Sequence, residues 1–151
     1  MKFFIYGTLR DPDIYQIILK SRLIENRFYL NEFKLVYHLG ECFPVLKSEK
    51  ESVVEGDLIE ISNKKMIDRL MYFEGQEYQL KEIAIENQQK EKVMAGVFFI
   101  KNESDITSSP WELEKWQRED KTTYLNKTVI YMKNFEQGNY FSWKELVLNK
   151  S

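Results

Sequence analysis

The apolar run at residues 2–6 is the feature that most constrains how this chain folds. Its apolar side chains follow one another without alternation, which is typical of a strand covered on both faces. Gly7 and Thr8 then break the run, so we expect a short first strand that ends at a turn. The run is also shorter than the roughly 7 to 15 apolar residues of a secretory signal. We therefore interpret it as a central strand of the fold.

Two helices are indicated by their start and stop signals. Asp11 is suited to cap the first helix and Pro12 to begin it, and isoleucines follow at helical spacing. Ser62 or Asn63 caps the second helix, which Gly75 ends. The second helix is expected to present one apolar face, made by Met66, Ile67, Leu70 and Met71.

Extended segments account for most of the remaining chain. We expect strands at residues 28–39, 53–61, 78–85 and 93–100. The last two strands form a hairpin across the polar residues 87–91, and residues 43–46 form an extended piece followed by a charged turn at 48–51. Residues 101–109 are expected to be a polar linker. Beyond Pro110, one amphipathic helix packs onto the body through Trp111, Leu113, Trp116 and Tyr124.

The composition is that of a single globular domain. With 151 residues, 43% of them hydrophobic and 30% charged, the chain is long enough for one core and too short for two. A net charge of -2 gives no global attraction to nucleic acid or to an anionic membrane, so we expect neither as a partner. One cysteine and one histidine exclude the usual structural metal sites and favour a reducing, cytoplasmic location.

The loop Tyr6-Gly7-Thr8-Leu9, called the YGTL loop below, is the first candidate for chemistry. Gly7 lets the backbone turn tightly beside a ligand, and the amides that follow can hold a carboxylate or a developing oxyanion. The same tetrapeptide is also ordinary punctuation after a strand, and that is the commoner meaning of such a turn.

Glu74 is the second candidate, because it lies at the C-terminal end of the second helix. The negative end of the helix dipole and the neighbouring Tyr72, Phe73 and Tyr78 would each raise the pKa of its carboxyl group toward the range of a general base. The simpler alternative is a solvated glutamate in the last turn of a helix, which is the usual state of glutamate.

Most standard catalytic motifs are missing from the chain. It has no GxSxG elbow, no HExxH, no phosphate-binding GxxxxGK[ST] and no GxGxxG. This inventory favours a reaction in which the substrate carries its own nucleophile and the protein supplies only a proton-transfer group and hydrogen-bond donors.

Five motifs in order give the chain a family resemblance. They are Tyr6-Gly7-Thr8-Leu9, Phe43-Pro44-Val45, Ser52-Val53-Val54-Glu55-Gly56, Ile67-Asp68-Arg69-Leu70, and Phe73-Glu74-Gly75 followed by Tyr78. Together they resemble the gamma-glutamylcyclotransferase-like superfamily, nearest to its gamma-glutamylamine cyclotransferase and avirulence-induced-gene-like branch. The resemblance covers about residues 1–101.

The resemblance implies an α+β fold, a small mixed β-barrel with flanking helices, and an enzyme that needs no cofactor or metal. It implies release of 5-oxoproline from a gamma-glutamyl amine or peptide, with Glu74 as general acid and base. Substrate would be bound by Tyr6, Gly7, Thr8, Leu9 and Tyr78. We expect residues 1–101 to form the core and residues 102–151 a helical extension that packs on the same domain, with the oligomeric state left open.

Two other interpretations remain open. The family commonly has Arg two residues after the tyrosine, where this chain has Leu80. A binding or regulatory protein that keeps the pocket but not the turnover would fit that difference. The other is a cysteine-dependent enzyme that pairs Cys42 with His38, although a buried, inert cysteine is the commoner state.

Overall fold

A five-stranded mixed β-barrel lies at the centre of the computed structural model, which describes residues 1–148 and side chains as far as residue 146. Its strands are β1 (Lys2–Ile5), β2 (Arg27–His38), β3 (Pro44–Glu60), β4 (Tyr78–Glu86) and β5 (Lys92–Ile100). β1 pairs in parallel with β5 and antiparallel with β3, and β2 closes the barrel by pairing with β3 and β4. This confirms the predicted small mixed barrel. Phe3, Phe4 and Ile5 are buried, as expected for a strand covered on both faces.

The pairing of β2 with β3 corrects one prediction. The two strands stay paired along nearly their whole length, from Arg27 opposite Asp57 to Tyr37 opposite Pro44. The charged residues 48–51, predicted to be a turn, instead lie within β3. The ladder shifts register beside them, and the amide of Glu51 donates to the Glu32 carboxylate at 2.9 Å. A β-bulge therefore absorbs the extra residues, because β2 is long enough to pair on both sides of them.

The first two helices begin where their caps predict. In α1 (Pro12–Leu19), the Asp11 carboxylate accepts from two amides of the first turn, at 2.9 and 3.2 Å. In α2 (Lys64–Glu74), the Asn63 side chain has the same role. The predicted apolar face of α2 is only partly correct: Leu70 is fully buried, whereas Met71 is 42% exposed.

The C-terminal third corrects two further predictions. Residues 101–109 are not simply a linker, because β6 (Ile106–Pro110) adds to the outer side of β2. Nor is there one long helix beyond Pro110. The chain turns at Asp120 between α3 (Leu113–Glu119) and α4 (Lys121–Glu136), so that α4 can pack across α1 and α2. A last helix, α5, spans Trp143–Leu148.

The helices cover one side of the barrel and enclose the larger core. Trp111 and Trp116 are 4% and 0% exposed, which confirms their predicted packing role. Buried Arg69 of α2 ties three helices together: it donates to two carbonyls at the end of α1 and pairs with Glu136 of α4 at 2.8 Å. Within residues 1–148, no helix combines the length and apolar character needed to cross a membrane.

Candidate functional site

A pocket of about 730 Å³ opens where the end of β1, the C-terminal end of α2 and the helices α4 and α5 meet. All the residues predicted to form the site line this pocket: Tyr6, Gly7, Thr8, Leu9, Glu74 and Tyr78. Residues separated by more than 60 positions in the sequence are therefore brought to one surface by the packing of α2 against the barrel.

The YGTL loop forms the inner end of the pocket and is held on three sides. The Tyr6 hydroxyl donates to the Phe98 carbonyl of β5 at 2.5 Å. A β-carbon added at Gly7 would lie 2.9 Å from Cγ of Pro44, so only glycine allows the loop to pass this close to β3. The loop then enters a 3-10 turn, Thr8–Arg10, whose first amides have no acceptor within the turn. Backbone donors are thus available beside the pocket.

Glu74 is the last residue of α2, and Gly75 ends the helix directly after it. Gly75 has a φ of +81°, a conformation that favours glycine, and its amide closes the last turn on the Met71 carbonyl at 3.0 Å. Burial raises the pKa of the Glu74 carboxyl to about 8, the direction expected from the sequence. This carboxyl group can therefore both accept and donate a proton near neutral pH.

Four tyrosines share the pocket with the Glu74 carboxyl group. They are Tyr6, Tyr78, Tyr124 and Tyr131, and all four line the pocket. Burial raises the pKa of each phenol, and the Glu74 charge adds to the shift in every case. Their hydroxyls are consequently neutral at physiological pH. Those of Tyr6, Tyr78 and Tyr131 already donate to backbone carbonyls, so toward a ligand these three can act only as acceptors.

Sequence reasoning did not assign Tyr124 and Tyr131 to the site. Tyr124 of α4 reaches the YGTL loop, where its hydroxyl accepts a hydrogen bond from the Thr8 hydroxyl at 3.3 Å. The Tyr131 hydroxyl donates to the Tyr72 carbonyl of α2 at 2.8 Å. Both residues occur in a helix that is polar at most other positions, and no local pattern distinguishes them from ordinary packing residues.

The outer side of the pocket is aromatic and comes from the end of the chain. We call Tyr140, Phe141 and Trp143 the aromatic wall. Tyr72 connects this wall to α2, because its hydroxyl donates to the Phe141 carbonyl at 2.7 Å. The Trp143 ring lies 5.0 and 5.2 Å from the rings of Tyr124 and Tyr131. The wall is therefore joined to two of the tyrosines that share the pocket with Glu74.

Charged side chains at the pocket are mostly acidic. Its lining contains four glutamates, Glu41, Glu74, Glu77 and Glu145, of which Glu74 is largely protonated at neutral pH, and one ammonium group, from Lys144. Lys144 pairs with Glu77 at 3.0 Å, and Glu77 also lies 3.5 Å from the His38 imidazole. Among the described residues, no three His, Cys, Asp or Glu side chains are placed to hold a metal ion.

The structure gives little support to Cys42 and His38 as a catalytic pair. Burial raises the pKa of the Cys42 thiol to about 11, which disfavours the nucleophilic thiolate. The two ring nitrogens of His38 face other groups: Nδ1 lies 2.8 Å from the Leu39 carbonyl and Nε2 faces Glu77. Leu80, at the position where the family commonly has Arg, packs close to Gly96 of β5.

Comparison with curated proteins finds distant plant relatives. AIG2-like protein C from Arabidopsis thaliana is 22% identical over 134 residues, which cover 87% of this chain and 77% of the relative. AIG2-like protein A from the same organism is 24% identical over 140 residues, with 89% and 84% covered.

Solved structures share the fold at low sequence identity. A solution structure of an Arabidopsis thaliana protein superposes with a TM-score of 0.60 at 18% identity and covers 93% of each chain. A structure described as gamma-glutamyl cyclotransferase gives 0.55 at 15% identity, with 67% of this chain and 66% of that one covered.

A family model fits most of the chain. The model is that of gamma-glutamyl cyclotransferase, AIG2-like, and it matches residues 3–118, which include the YGTL loop and Glu74. The chain therefore belongs to the gamma-glutamyl cyclotransferase, AIG2-like family.

Proposed function

We propose that this protein releases 5-oxoproline from a gamma-glutamyl amine or peptide. The observation that carries the proposal is a glutamate with a raised pKa, Glu74, in the same pocket as the backbone donors of the YGTL loop. Family membership supports cyclotransferase chemistry in general. The reaction as proposed uses no cofactor, and we expect it to run in the cytoplasm, where the free thiol of Cys42 stays reduced.

The proposed reaction is intramolecular. The substrate's α-amine attacks its own γ-carbonyl carbon, so that a new C–N bond closes a five-membered ring. The original amide C–N bond then breaks and the amine leaves. Holding the α-amine near the carbonyl gains the large rate advantage of an intramolecular step, and no protein nucleophile is required.

Glu74 has the proton-transfer role in this scheme. In its ionised form it takes a proton from the attacking amine, and it then returns that proton to the departing nitrogen. A pKa of about 8 suits both steps at neutral pH. Amides of the YGTL loop stabilise the tetrahedral oxyanion. Tyr6 and Tyr78 border the reacting group as neutral hydrogen-bond acceptors, because their hydroxyl protons are donated to the Phe98 and Pro44 carbonyls.

The test is the substitution Glu74→Gln, which keeps the shape of the side chain and removes its proton transfer. With a panel of gamma-glutamyl amino acids, gamma-glutamyl-lysine, glutathione and gamma-glutamyl polyamines, we expect 5-oxoproline release to fall by about 10²- to 10⁴-fold. Glu114→Gln is the matched control, because Glu114 is an exposed glutamate of α3 outside the pocket. Retained turnover in a folded Glu74→Gln protein would contradict the proposal.

A binding or regulatory role is the second candidate, favoured by Leu80 at the usual position of Arg. Calorimetric binding of a gamma-glutamyl amide to the wild-type protein, without 5-oxoproline release from any member of the panel, would establish that role instead.

A further inference from the structure

The YGTL loop, at the buried end of the pocket, is attached at both of its ends to one residue of β3. Within the loop, Thr8 and Leu9 are 5% and 3% exposed. Before the loop, Ile5 of β1 pairs with Asp57 in the antiparallel ladder. After the loop, Nε of Arg10 donates to Oδ2 of Asp57 at 3.0 Å. The backbone of Asp57 therefore holds one end of the loop, and its side chain holds the other.

The ion pair between Arg10 and Asp57 is largely buried. The Asp57 side chain is 4% exposed and that of Arg10 is 14% exposed. The second oxygen of the carboxylate, Oδ1, accepts from the amide of Asn26 at 2.9 Å. If either charged group moved, the other would be left buried without its partner, which is costly. The pair therefore holds the Arg10 side chain in one position.

The strand segment that carries Asp57 is itself closely packed. A β-carbon added at the preceding Gly56 would lie 2.4 Å from the carbonyl oxygen of Ile5, so only glycine lets β3 pass this close to the end of β1. Asp57 is also paired with Arg27 of β2 on the other side of the strand. A carboxylate placed between two strands in this way is a fixed anchor for the loop.

Arg10 connects this anchor to the backbone donors of the loop. Its amide donates to the Gly7 carbonyl at 3.0 Å and so closes the 3-10 turn. The amides of Thr8 and Leu9 lie inside that turn, where they have no acceptor. An arginine held in place by its side chain therefore fixes the turn that presents these two amides to the pocket.

We propose, on the basis of the proposed function, that Arg10 and Asp57 are positioning residues for the oxyanion donors of the YGTL loop. Neither residue lines the pocket. Their effect on turnover therefore passes through the backbone of Thr8 and Leu9, where a misplacement of about 1 Å lowers the rate by roughly 100-fold.

The variants Arg10→Met, Asp57→Asn and Arg10→Met/Asp57→Asn separate this role from a role in stability alone. Arg10→Met leaves a buried carboxylate without its cation and should be strongly destabilised. The double variant removes both charges and should regain most of that stability, but it cannot regain the bond that holds the turn. We therefore expect its kcat to stay about tenfold below that of wild type. Its KM should change by less than about twofold, because the oxyanion exists only after attack.

Stability is measured by urea unfolding, and kcat is measured where each variant is folded. A kcat that returns to the wild-type value together with stability in the double variant would overturn the proposal. The matched control is the ion pair of Lys34 and Glu49, which joins β2 to β3 at 2.6 Å outside the pocket. Lys34→Met, Glu49→Gln and their combination should leave kcat unchanged. An equal fall in kcat in these variants would also overturn the proposal.

Backbone ¹⁵N relaxation separates this proposal from the proposed function. In wild type, the order parameters of the Thr8 and Leu9 amides should be about 0.85, the value of rigid backbone, and in Arg10→Met/Asp57→Asn they should fall to about 0.7 or less. If wild type releases no 5-oxoproline, the proposed function fails, while such a fall would still support the positioning of the loop by the ion pair. Unchanged order parameters at both amides would overturn the positioning role whatever the turnover.

Discussion

The buried end of the pocket and the aromatic wall are built in different ways. The buried end is held by the barrel: Tyr6 bonds to β5, Tyr78 bonds to the Pro44 carbonyl of β3 at 3.3 Å, and Gly7 packs against the Pro44 ring. The aromatic wall follows the last long helix. It is held by ring packing, by the Lys127 ammonium 4.0 Å from the Trp143 ring centroid, and by a hydrogen bond from Tyr72.

This difference separates the part of the pocket that positions the reacting groups in the proposed chemistry from the part that lies farther from them. A barrel strand cannot move without disturbing its neighbours in the sheet, so the buried end is suited to hold reacting groups in fixed positions. Tyr140 and Phe141 of the wall make no side-chain contact with the YGTL loop among the hydrogen bonds described, whereas Trp143 packs on Tyr124, which bonds to Thr8. Substitutions at the two ends should therefore alter different kinetic parameters.

The largest expected effect concerns the pH dependence of stability at the buried end. The pKa of Glu74 is about 8 in the folded protein, against an ordinary value of 4.5. The folded state therefore retains a proton that the unfolded state has lost, and stability decreases as pH rises from about 4.5 to about 8. We expect Glu74→Gln to remove a penalty of up to about 4 kcal/mol at pH 8.5.

Thermal or urea unfolding at pH 5 and at pH 8.5 checks this expectation. The stability of Glu74→Gln relative to wild type should rise between the two pH values, whereas that of Glu114→Gln should not. In wild type, kcat/KM should rise with pH toward a plateau, with its midpoint near pH 8, because the ionised form is the base. A constant stability difference would mean that the Glu74 carboxyl group is solvated.

Gly7→Ala should lower turnover by roughly 100-fold, since a misplacement of about 1 Å in a positioned group has that effect. The new β-carbon would lie 2.9 Å from Pro44 Cγ and push the YGTL loop away from β3. The double variant Gly7→Ala/Pro44→Ala makes room for it and should recover part of the activity. If the double variant is no more active than Gly7→Ala, the contact with Pro44 is not what positions the loop.

Tyr124→Phe tests the connection between the two ends. The substitution removes the hydroxyl that accepts a hydrogen bond from the Thr8 hydroxyl. Because one hydrogen bond is lost, we expect kcat to fall by about fivefold while KM changes little. Tyr29→Phe is the control, because the Tyr29 hydroxyl accepts from the Gln88 side chain and Tyr29 lies outside the pocket. A change in KM alone would place Tyr124 in substrate binding and not in loop positioning.

Tyr72→Phe is expected to have the smallest effect, and to act on the wall. Without the hydrogen bond to the Phe141 carbonyl, KM for the best gamma-glutamyl substrate of the panel should rise by about twofold to threefold. Amide hydrogen exchange in residues 139–146 should become faster. Unchanged exchange in that segment would show that this hydrogen bond does not hold the wall in place.

The contrast between the buried end of the pocket and the aromatic wall also separates the features that the sequence could predict from those that it could not. Glycines that mark the end of a strand and the end of a helix made the YGTL loop and Glu74 candidates, and those are local signals. The order of five motifs, with its family resemblance, then favoured them as one site. Gly75 alone fixes the end of α2 to within one residue of Glu74. The caps Asp11 and Asn63 were correct for the same reason.

The sequence did not predict the features that depend on contacts between residues far apart in the chain. Residues 48–51 have the composition of a turn, but pairing along β2 holds them in a bulged strand. Tyr124 and Tyr131 became site residues only because α4 packs across α1 and α2. The spacing of residues within α4 does not indicate which strand end the helix will contact. Local sequence patterns therefore could not predict the outer half of the pocket.

The hydrogen bonds of the YGTL loop also determine when the pocket becomes complete. Tyr6 and Thr8 are synthesised before their partners Phe98 and Tyr124, which follow 92 and 116 residues later. A nascent chain on the ribosome thus contains both the loop and Glu74 before it contains the groups that position them. Contacts so distant in sequence form late in folding. The proposed activity is therefore expected to be silent during translation and to begin only after α4 has emerged and packed.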